Sequence, residues 1–174
     1  MKTVLLDREG TIIVDPPFDR VDAIEKAQLL PNTLAALHLL ATHGYGIIII
    51  TNQTNIAQGR LSEQDFWNLH AHILKMIEPS SITILKTYVC PHSADAGCDC
   101  RKPKSALLVQ ALKEFNLNSA ETYMVGDRDS DVMAGMSAGT RTVLVKTGKH
   151  PTTAVPDYTA ADLLDAAKHI VDNE

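Results

Sequence analysis

Several residues able to do chemistry stand directly behind apolar runs. Asp7 ends Val4-Leu5-Leu6, and Glu9, Gly10 and Thr11 follow it. Thr51 ends Ile47-Ile48-Ile49-Ile50 and is followed by Asn52 and Gln53; Asp127 lies behind Tyr123-Met124-Val125-Gly126, with Asp131 four residues on. The run at 84–89 leads to Arg101 and Lys102. Brought together, these groups supply a carboxylate nucleophile, a hydroxyl, fixed cations and further carboxylates. Acids from two segments form a hard oxygen site suited to Mg²⁺, which bridges protein carboxylates and substrate phosphate. A cation, a hydroxyl and backbone N–H groups at a helix start suit a phosphoryl group.

A second constellation lies between those motifs. Cys90, His92, Cys98 and Cys100 offer three thiolates and an imidazole, a full tetrahedral set for Zn²⁺. All three cysteines of the chain fall in this stretch, which points to metal before disulfides. With every slot filled by protein, the zinc is expected to be structural. The loop at 90–100 would fix the approach to Arg101 and Lys102. Asp99, between two ligands, need not be one.

Apolar runs of this kind cannot be the single face of an amphipathic helix; they suit strands of a parallel sheet buried on both sides. Strands are expected at 4–6, 47–50, 84–89, 122–125 and 142–145, with a short extended piece at 12–14 before a proline turn at 15–17 and a loop from 19 to 28. Helices are expected from 33, with Leu34, Leu37, Leu40 and Ala41 on one face and Gly44 closing it; at 62–77, where Ser62 and Asp65 have capping-box spacing; after Pro103, carrying Leu107 to Phe115; at 130–138, capped by Gly139; and at 160–171. Alternation of this kind predicts an α/β fold, a three-layer Rossmann-like sandwich around a mainly parallel sheet. In such sheets ligands sit beyond the carboxyl ends of the strands, where the residues above would meet.

With 174 residues, the chain suits one domain, 1–174. A net charge of −5 argues against nucleic acid or an anionic membrane as partner, and no apolar stretch approaches the ~20 residues of a membrane span. There is no signal-peptide apolar region, so the expected setting is cytoplasmic.

The Asp7-Arg8-Glu9-Gly10-Thr11 box, Thr51, the Lys102 region and Gly126-Asp127 resemble the four motifs of the haloacid-dehalogenase-like (HAD) phosphatases, over residues 4–148. More narrowly, Thr51-Asn52-Gln53, Ile56-Ala57-Gln58-Gly59, Cys90-Pro91-His92, Cys98-Asp99-Cys100-Arg101-Lys102-Pro103 and Thr147-Gly148-Lys149 resemble the D-glycero-D-manno-heptose-1,7-bisphosphate 7-phosphatases. Histidinol-phosphate phosphatases share most of that pattern. The resemblance implies a HAD-like fold without a large cap domain, a similar zinc loop, and hydrolysis of a phosphorylated sugar through an aspartyl-phosphate. It makes Asp7 the nucleophile and Glu9 the acid/base. Mg²⁺ is held by Asp7, Asp127 and the backbone carbonyl of Glu9, and the phosphoryl oxygens by Thr51 and Lys102. Asn52, Gln53, Arg101 and Arg128 line up as substrate contacts.

One position departs from that pattern. The acid/base is usually Asp, and Glu9 extends the carboxyl by about 1 Å, a scale of misplacement that can cost ~100-fold in rate. Three readings follow: a heptose bisphosphate phosphatase, a histidinol-phosphate phosphatase, or a weakly active protein that binds phosphorylated sugars. A monomer is expected. Asp131 either holds Lys102, completes the outer shell of the metal, or serves as a helix N-terminal acid. Lys104 is read as solvated, Phe66 and Trp67 as core, and His38, His43, His70, His72, His150 and His169 as surface or packing residues.

Overall fold

The computed structural model describes residues 2–16 and 21–173. Six strands, β1 (Lys2–Leu6), β2 (Tyr45–Asn52), β3 (Thr83–Cys90), β4 (Tyr123–Gly126), β5 (Arg141–Val145) and β6 (Tyr158–Ala160), form one sheet in the order β3-β2-β1-β4-β5-β6. Every pairing is parallel, so the sheet is wholly rather than mainly parallel. The chain winds outward from β1 in one direction through β2 and β3, then returns and winds the other way from β4. The switch point therefore falls between β1 and β4, where a crevice opens beyond the carboxyl ends of the strands. Asp7 and Asp127 are the residues that follow those two strands.

Six helices cover the sheet: α1 (Thr33–Thr42), α2 (Thr54–Ala57), α3 (Glu63–Ile77), α4 (Ala106–Glu114), α5 (Asp129–Ala138) and α6 (Leu163–Asp172). Successive strand side chains point to opposite faces, so an all-apolar strand feeds two cores at once. Val4, Leu6, Ile47 and Ile49 pack into a core with α1, α3 and α6, through residues such as Leu37, Phe66, Ile73 and Ile170. Leu5, Ile48 and Ile50 enter a smaller core with Leu107, Leu108 and Ala111 of α4 and Ala134 of α5. This is the three-layer sandwich expected from the sequence.

Local signals account for most boundaries. Ser62 caps α3 by accepting from the Asp65 backbone N–H at 3.1 Å. Gly44 and Gly139 close α1 and α5 at φ +76° each, a left-handed conformation that suits glycine. The differences lie in short or polar segments. Strand β6 falls largely in 151–159, a stretch rich in Pro and Thr for which no element is expected, and the last helix begins at Leu163 rather than 160, because Asp162 caps it through the Asp165 N–H. The one-turn α2 and a 3₁₀ turn at Ile24–Lys26 occupy stretches read as loop. Trp67 is 41% exposed and rests edge-on against Phe66, so only Phe66 of that pair is core. Of the proline turn and the following loop, residues 17–20 lie outside the described residues. No helix among the described residues is long and apolar enough to cross a membrane.

Candidate active site

The crevice at the switch point is a cleft of about 310 Å³ whose lining includes Asp7, Glu9, Gln53, Arg101, Lys102 and Arg128. Lys102 is its hub. Its ammonium donates to Asp7 Oδ1 at 2.6 Å, to the Ile50 carbonyl at 2.7 Å, and pairs with Asp131 Oδ1 at 2.6 Å. These three acceptors use all three N–H bonds of the ammonium. Burial works to discharge Lys102, but Asp131 and Asp7 outweigh it and hold the charge above its ordinary range. Asn52 fixes the approach of this segment: its side chain donates to the Lys102 carbonyl at 3.0 Å and accepts from the Lys102 N–H at 3.2 Å. Asp131 has two duties at once. Its Oδ2 accepts from the Arg128 N–H at 3.0 Å at the start of α5, and its Oδ1 holds Lys102.

Asp7 is buried, and burial pushes its carboxyl up to about 7, with Lys102 pulling it down and Asp131 and Glu9 adding to the rise. Asp127 is raised to about 8, by burial and then by the charges of Asp7 and Asp131. Both carboxylate oxygens of Asp127 are buried with no hydrogen-bond partner among the described residues; Arg128 Nε stands 3.8 Å away. An orphaned buried carboxylate is costly and calls for a missing cation. Asp7, Asp127 and Asp131 each offer an oxygen within 4.8 Å of the others. Three buried acids (Asp7, Asp127, Asp131) and the half-buried Glu9 face two buried cations, Arg8 and Lys102. The imbalance matches one divalent ion.

The backbone around Asp127 is shaped to leave that room. Gly10, at φ +79°, and Gly148 approach so closely that a Cβ on either would lie 2.4 and 2.2 Å from Asp127 Oδ2. Thr147 ties the second of these turns to the first, donating to the Gly10 carbonyl at 2.6 Å. The residues present thus fit magnesium.

Glu9 is on the α3 side of the crevice. Arg8 wraps back onto it, with Nε 2.9 Å from Glu9 Oε1 and Nη2 paired to the same oxygen. The Arg8 guanidinium is fully buried and lies 4.9 Å from the Phe66 ring centroid. Gln53 Nε2 reaches both Glu9 oxygens at 3.0 Å, and the Thr51 hydroxyl donates to Oε2 at 3.1 Å. Burial pushes the Glu9 carboxyl up, but the Arg8 charge and the bonds from Arg8 and Gln53 prevail and hold it below its ordinary value. Sequence reasoning missed Arg8. Its signal was the strand period, because Val4, Leu6 and residue 8 share one face. Asp15 was missed as well; it accepts from Arg128 Nη2 at 2.5 Å and faces His150 Nε2 at 3.6 Å on the rim.

The structure gathers the second constellation as expected. Cys90 Sγ lies 3.8 Å from Cys98 Sγ and 3.2 Å from Cys100 Sγ, while His92 Nδ1 is 3.1 Å from Cys100 Sγ and 3.7 Å from Cys90 Sγ. Burial and the neighbouring thiols push Cys100 up to about 12, so a bound cation is needed to ionise all three together. Asp99 turns outward to Lys104 at 2.9 Å, outside the cluster. Arg101 is carried into the cleft from this loop, donating to the Thr54 hydroxyl at 2.9 Å and the His92 carbonyl at 3.2 Å.

Known proteins share this architecture. The family described as "HAD-hyrolase-like" matches residues 99–172. The D-glycero-beta-D-manno-heptose-1,7-bisphosphate 7-phosphatase of Pasteurella multocida is 37% identical over 85% of this chain and 83% of its own length. That of Haemophilus influenzae is 34% identical over 94% of both. The histidine biosynthesis bifunctional protein HisB of Legionella pneumophila is 36% identical over 75% of this chain, which spans only 37% of that protein. Among solved structures, the D,D-heptose 1,7-bisphosphate phosphatase of B. bronchiseptica, complexed with magnesium and phosphate, superposes with a TM-score of 0.90 at 25% identity over 100% of both chains. Two strand-end aspartates across the switch point, a lysine bridging to the first, and relatives matched along most of their length agree: the chain belongs to the HAD-like phosphoric monoester hydrolases, in the family of the heptose-1,7-bisphosphate 7-phosphatases.

Proposed function

We propose that this protein removes the 7-phosphate of D-glycero-D-manno-heptose 1,7-bisphosphate through an aspartyl-phosphate on Asp7. The observation that carries the reading is Asp7 itself: buried, pinned at 2.6 Å by Lys102, and set beside the orphaned oxygens of Asp127. With Oδ1 engaged by Lys102, Oδ2 is the oxygen to attack phosphorus. The Asp7–phosphorus bond forms as the bond to the sugar oxygen breaks, and that oxygen takes a proton from Glu9, whose protonated form the negative charge of the incoming phosphate would favour against the pull of Arg8 and Gln53. Glu9, then ionised, takes a proton from water, whose oxygen attacks phosphorus and releases phosphate from Asp7.

Lys102 contributes by positioning and by balancing the charge that gathers on the phosphoryl oxygens. Thr51, whose hydroxyl donates to Glu9 in this structure, would turn it to a phosphoryl oxygen once substrate is bound. Arg101 and Arg128, both lining the cleft, suit the anionic remainder of a bisphosphate. Asp7, Asp127 and the Glu9 carbonyl would hold Mg²⁺, which supplies neutralisation of charge between carboxylates and phosphate. Cys90, His92, Cys98 and Cys100 would hold a structural Zn²⁺ that fixes the segment delivering Arg101 and Lys102. The same reading has the protein working as a monomer in the cytoplasm, a reducing setting that suits free cysteines.

The test is magnesium-dependent phosphate release from a panel holding heptose 1,7-bisphosphate, histidinol phosphate and common sugar phosphates. Preference for the heptose compound supports the proposal. Release from histidinol phosphate alone keeps the chemistry and replaces the substrate, and no release from any of them refutes it.

A further inference from the structure

Gln53 lines the cleft yet is almost wholly buried, and its amide nitrogen is directed at protein rather than at open space. It lies 3.0 Å from each oxygen of Glu9 and 2.8 Å from the Thr51 hydroxyl, which in turn donates to Glu9. Carboxylate oxygens only accept, so the nitrogen and not the oxygen of the Gln53 amide must face them. Arg8 grips the same carboxylate from behind, its guanidinium stacked on Phe66 and closed off from water. The long Glu9 side chain is therefore restrained from two sides. A flexible carboxylate with one methylene more than aspartate needs such restraint, because errors near 1 Å at a reacting group are expensive.

We propose that Gln53 is a positioning residue. Its amide, backed by Arg8, fixes the Glu9 carboxylate in the cleft, and it serves the reaction through Glu9 rather than by touching substrate. This rests on the assignment of Glu9 as acid/base. The geometry separates the role from substrate binding, since the amide nitrogen already has three acceptors in the protein and its two protons are engaged.

The experiment is a double-mutant cycle of Gln53→Met, which keeps the bulk and removes the amide, with Glu9→Ala. In the otherwise native chain Gln53→Met is expected to lower kcat about 10- to 100-fold, with KM within about twofold. In the Glu9→Ala chain the same change is expected to alter kcat less than about twofold, because the group it positions is gone. A rise in KM with unchanged kcat, or equal losses in both backgrounds, overturns the proposal in favour of a substrate contact. Melting temperatures supply a readout that needs no turnover: the two losses are expected to be non-additive, and additive losses overturn the clamp. A native chain that releases no phosphate from any ester of the panel refutes the phosphatase reading and with it this role. An active native chain with independent losses overturns only the role of Gln53.

Discussion

Asp7 and Glu9 are two residues apart, yet their surroundings give them opposite characters. Asp7 shares its pocket with Asp131 and Asp127, so burial and like charge lift it to about 7; Glu9 faces Arg8 and the Gln53 amide and is held low. These are the characters of the site without substrate or cation: for the proposed roles, a cation beside Asp7 and Asp127 would hold Asp7 ionised, and an incoming phosphate beside Glu9 would favour its protonated form. Asp7→Asn removes the attacking oxygen while keeping size and the acceptor for Lys102. It is expected to cut turnover at least about a thousandfold with the melting temperature nearly unchanged, as read by phosphate release and thermal unfolding. Retention of a tenth of the native rate would exclude Asp7 as nucleophile. His70 shows how the same chemistry serves structure. It is buried against Phe66, bonded to Thr87 at 2.8 Å, and kept neutral, lowered to about 4 by burial and then by Arg8.

At the scale of elements, β1, β2 and β4 end where the residue at or just after the strand end can reach the crevice, as Asp7, Asn52 and Asp127 do, and the segments that follow supply partners. The loop after β3 makes the longest journey. It runs from Cys90 at the strand end, through the thiol and imidazole cluster, to Lys102 beneath Asp7, and it needs an internal anchor because the described part has no regular structure. Zinc would be that anchor. Cys98→Ser is expected to lower bound zinc, measured by elemental analysis, from one per chain to well under half, and to reduce the melting temperature by several degrees. Turnover should fall with it, because only the bonds of Lys102 to Asn52, Asp7, Asp131 and the Ile50 carbonyl then hold that segment. Full zinc retention would defeat the structural-zinc assignment. The turn after β5 shows the reverse economy: Gly148 has no side chain because Asp127 Oδ2 occupies the space.

At the scale of the molecule, the folded chain draws four acids into one cleft, and their mutual repulsion is a cost of folding without a cation. Asp7 and Asp127 have folded-state values of about 7 and about 8, both above the ordinary 3.8 of the unfolded chain. A raised carboxyl binds protons in the folded state that the unfolded state has lost, so its contribution to stability declines as pH rises towards the folded value. His70 has the opposite slope, between its unfolded value of 6.5 and about 4. Above pH 6.5 the carboxylates dominate, and the loss up to pH 8.5 is on the order of 2 kcal/mol. A bound magnesium ion would remove this loss, and at lower pH it would have to displace protons to bind. Its stabilisation is therefore expected to be larger at pH 8.5 than at pH 6.5, by about 5 °C in melting temperature for a chain of this size. Equal increments at both values would show that the acids do not share one cation.

The sequence alone determined the sheet, its two-sided burial, the rim at which the cleft opens and most of the polar residues that meet there, because these are written locally. Val4-Leu5-Leu6 followed by Asp7, and Ile47 to Ile50 followed by Thr51, announce a buried strand and its functional end in a few consecutive letters. The cluster of three cysteines and one histidine was legible for the same reason, with all four residues inside 90–100. Tertiary structure decided the partnerships. Lys102 meets Asp7 across 95 residues of sequence, Gln53 meets Glu9 across 44, and Asp15 meets Arg128 across 113. Arg8 has no role of its own in the sequence until the α3 packing sets it under Phe66, and the stretch holding β6 shows no strand signal until β5 offers an edge to pair with. The physical reason is range. Hydrophobic period and turn chemistry act over a few residues, whereas charge pairing and desolvation act through space and take their values only once distant segments have been brought to one crevice.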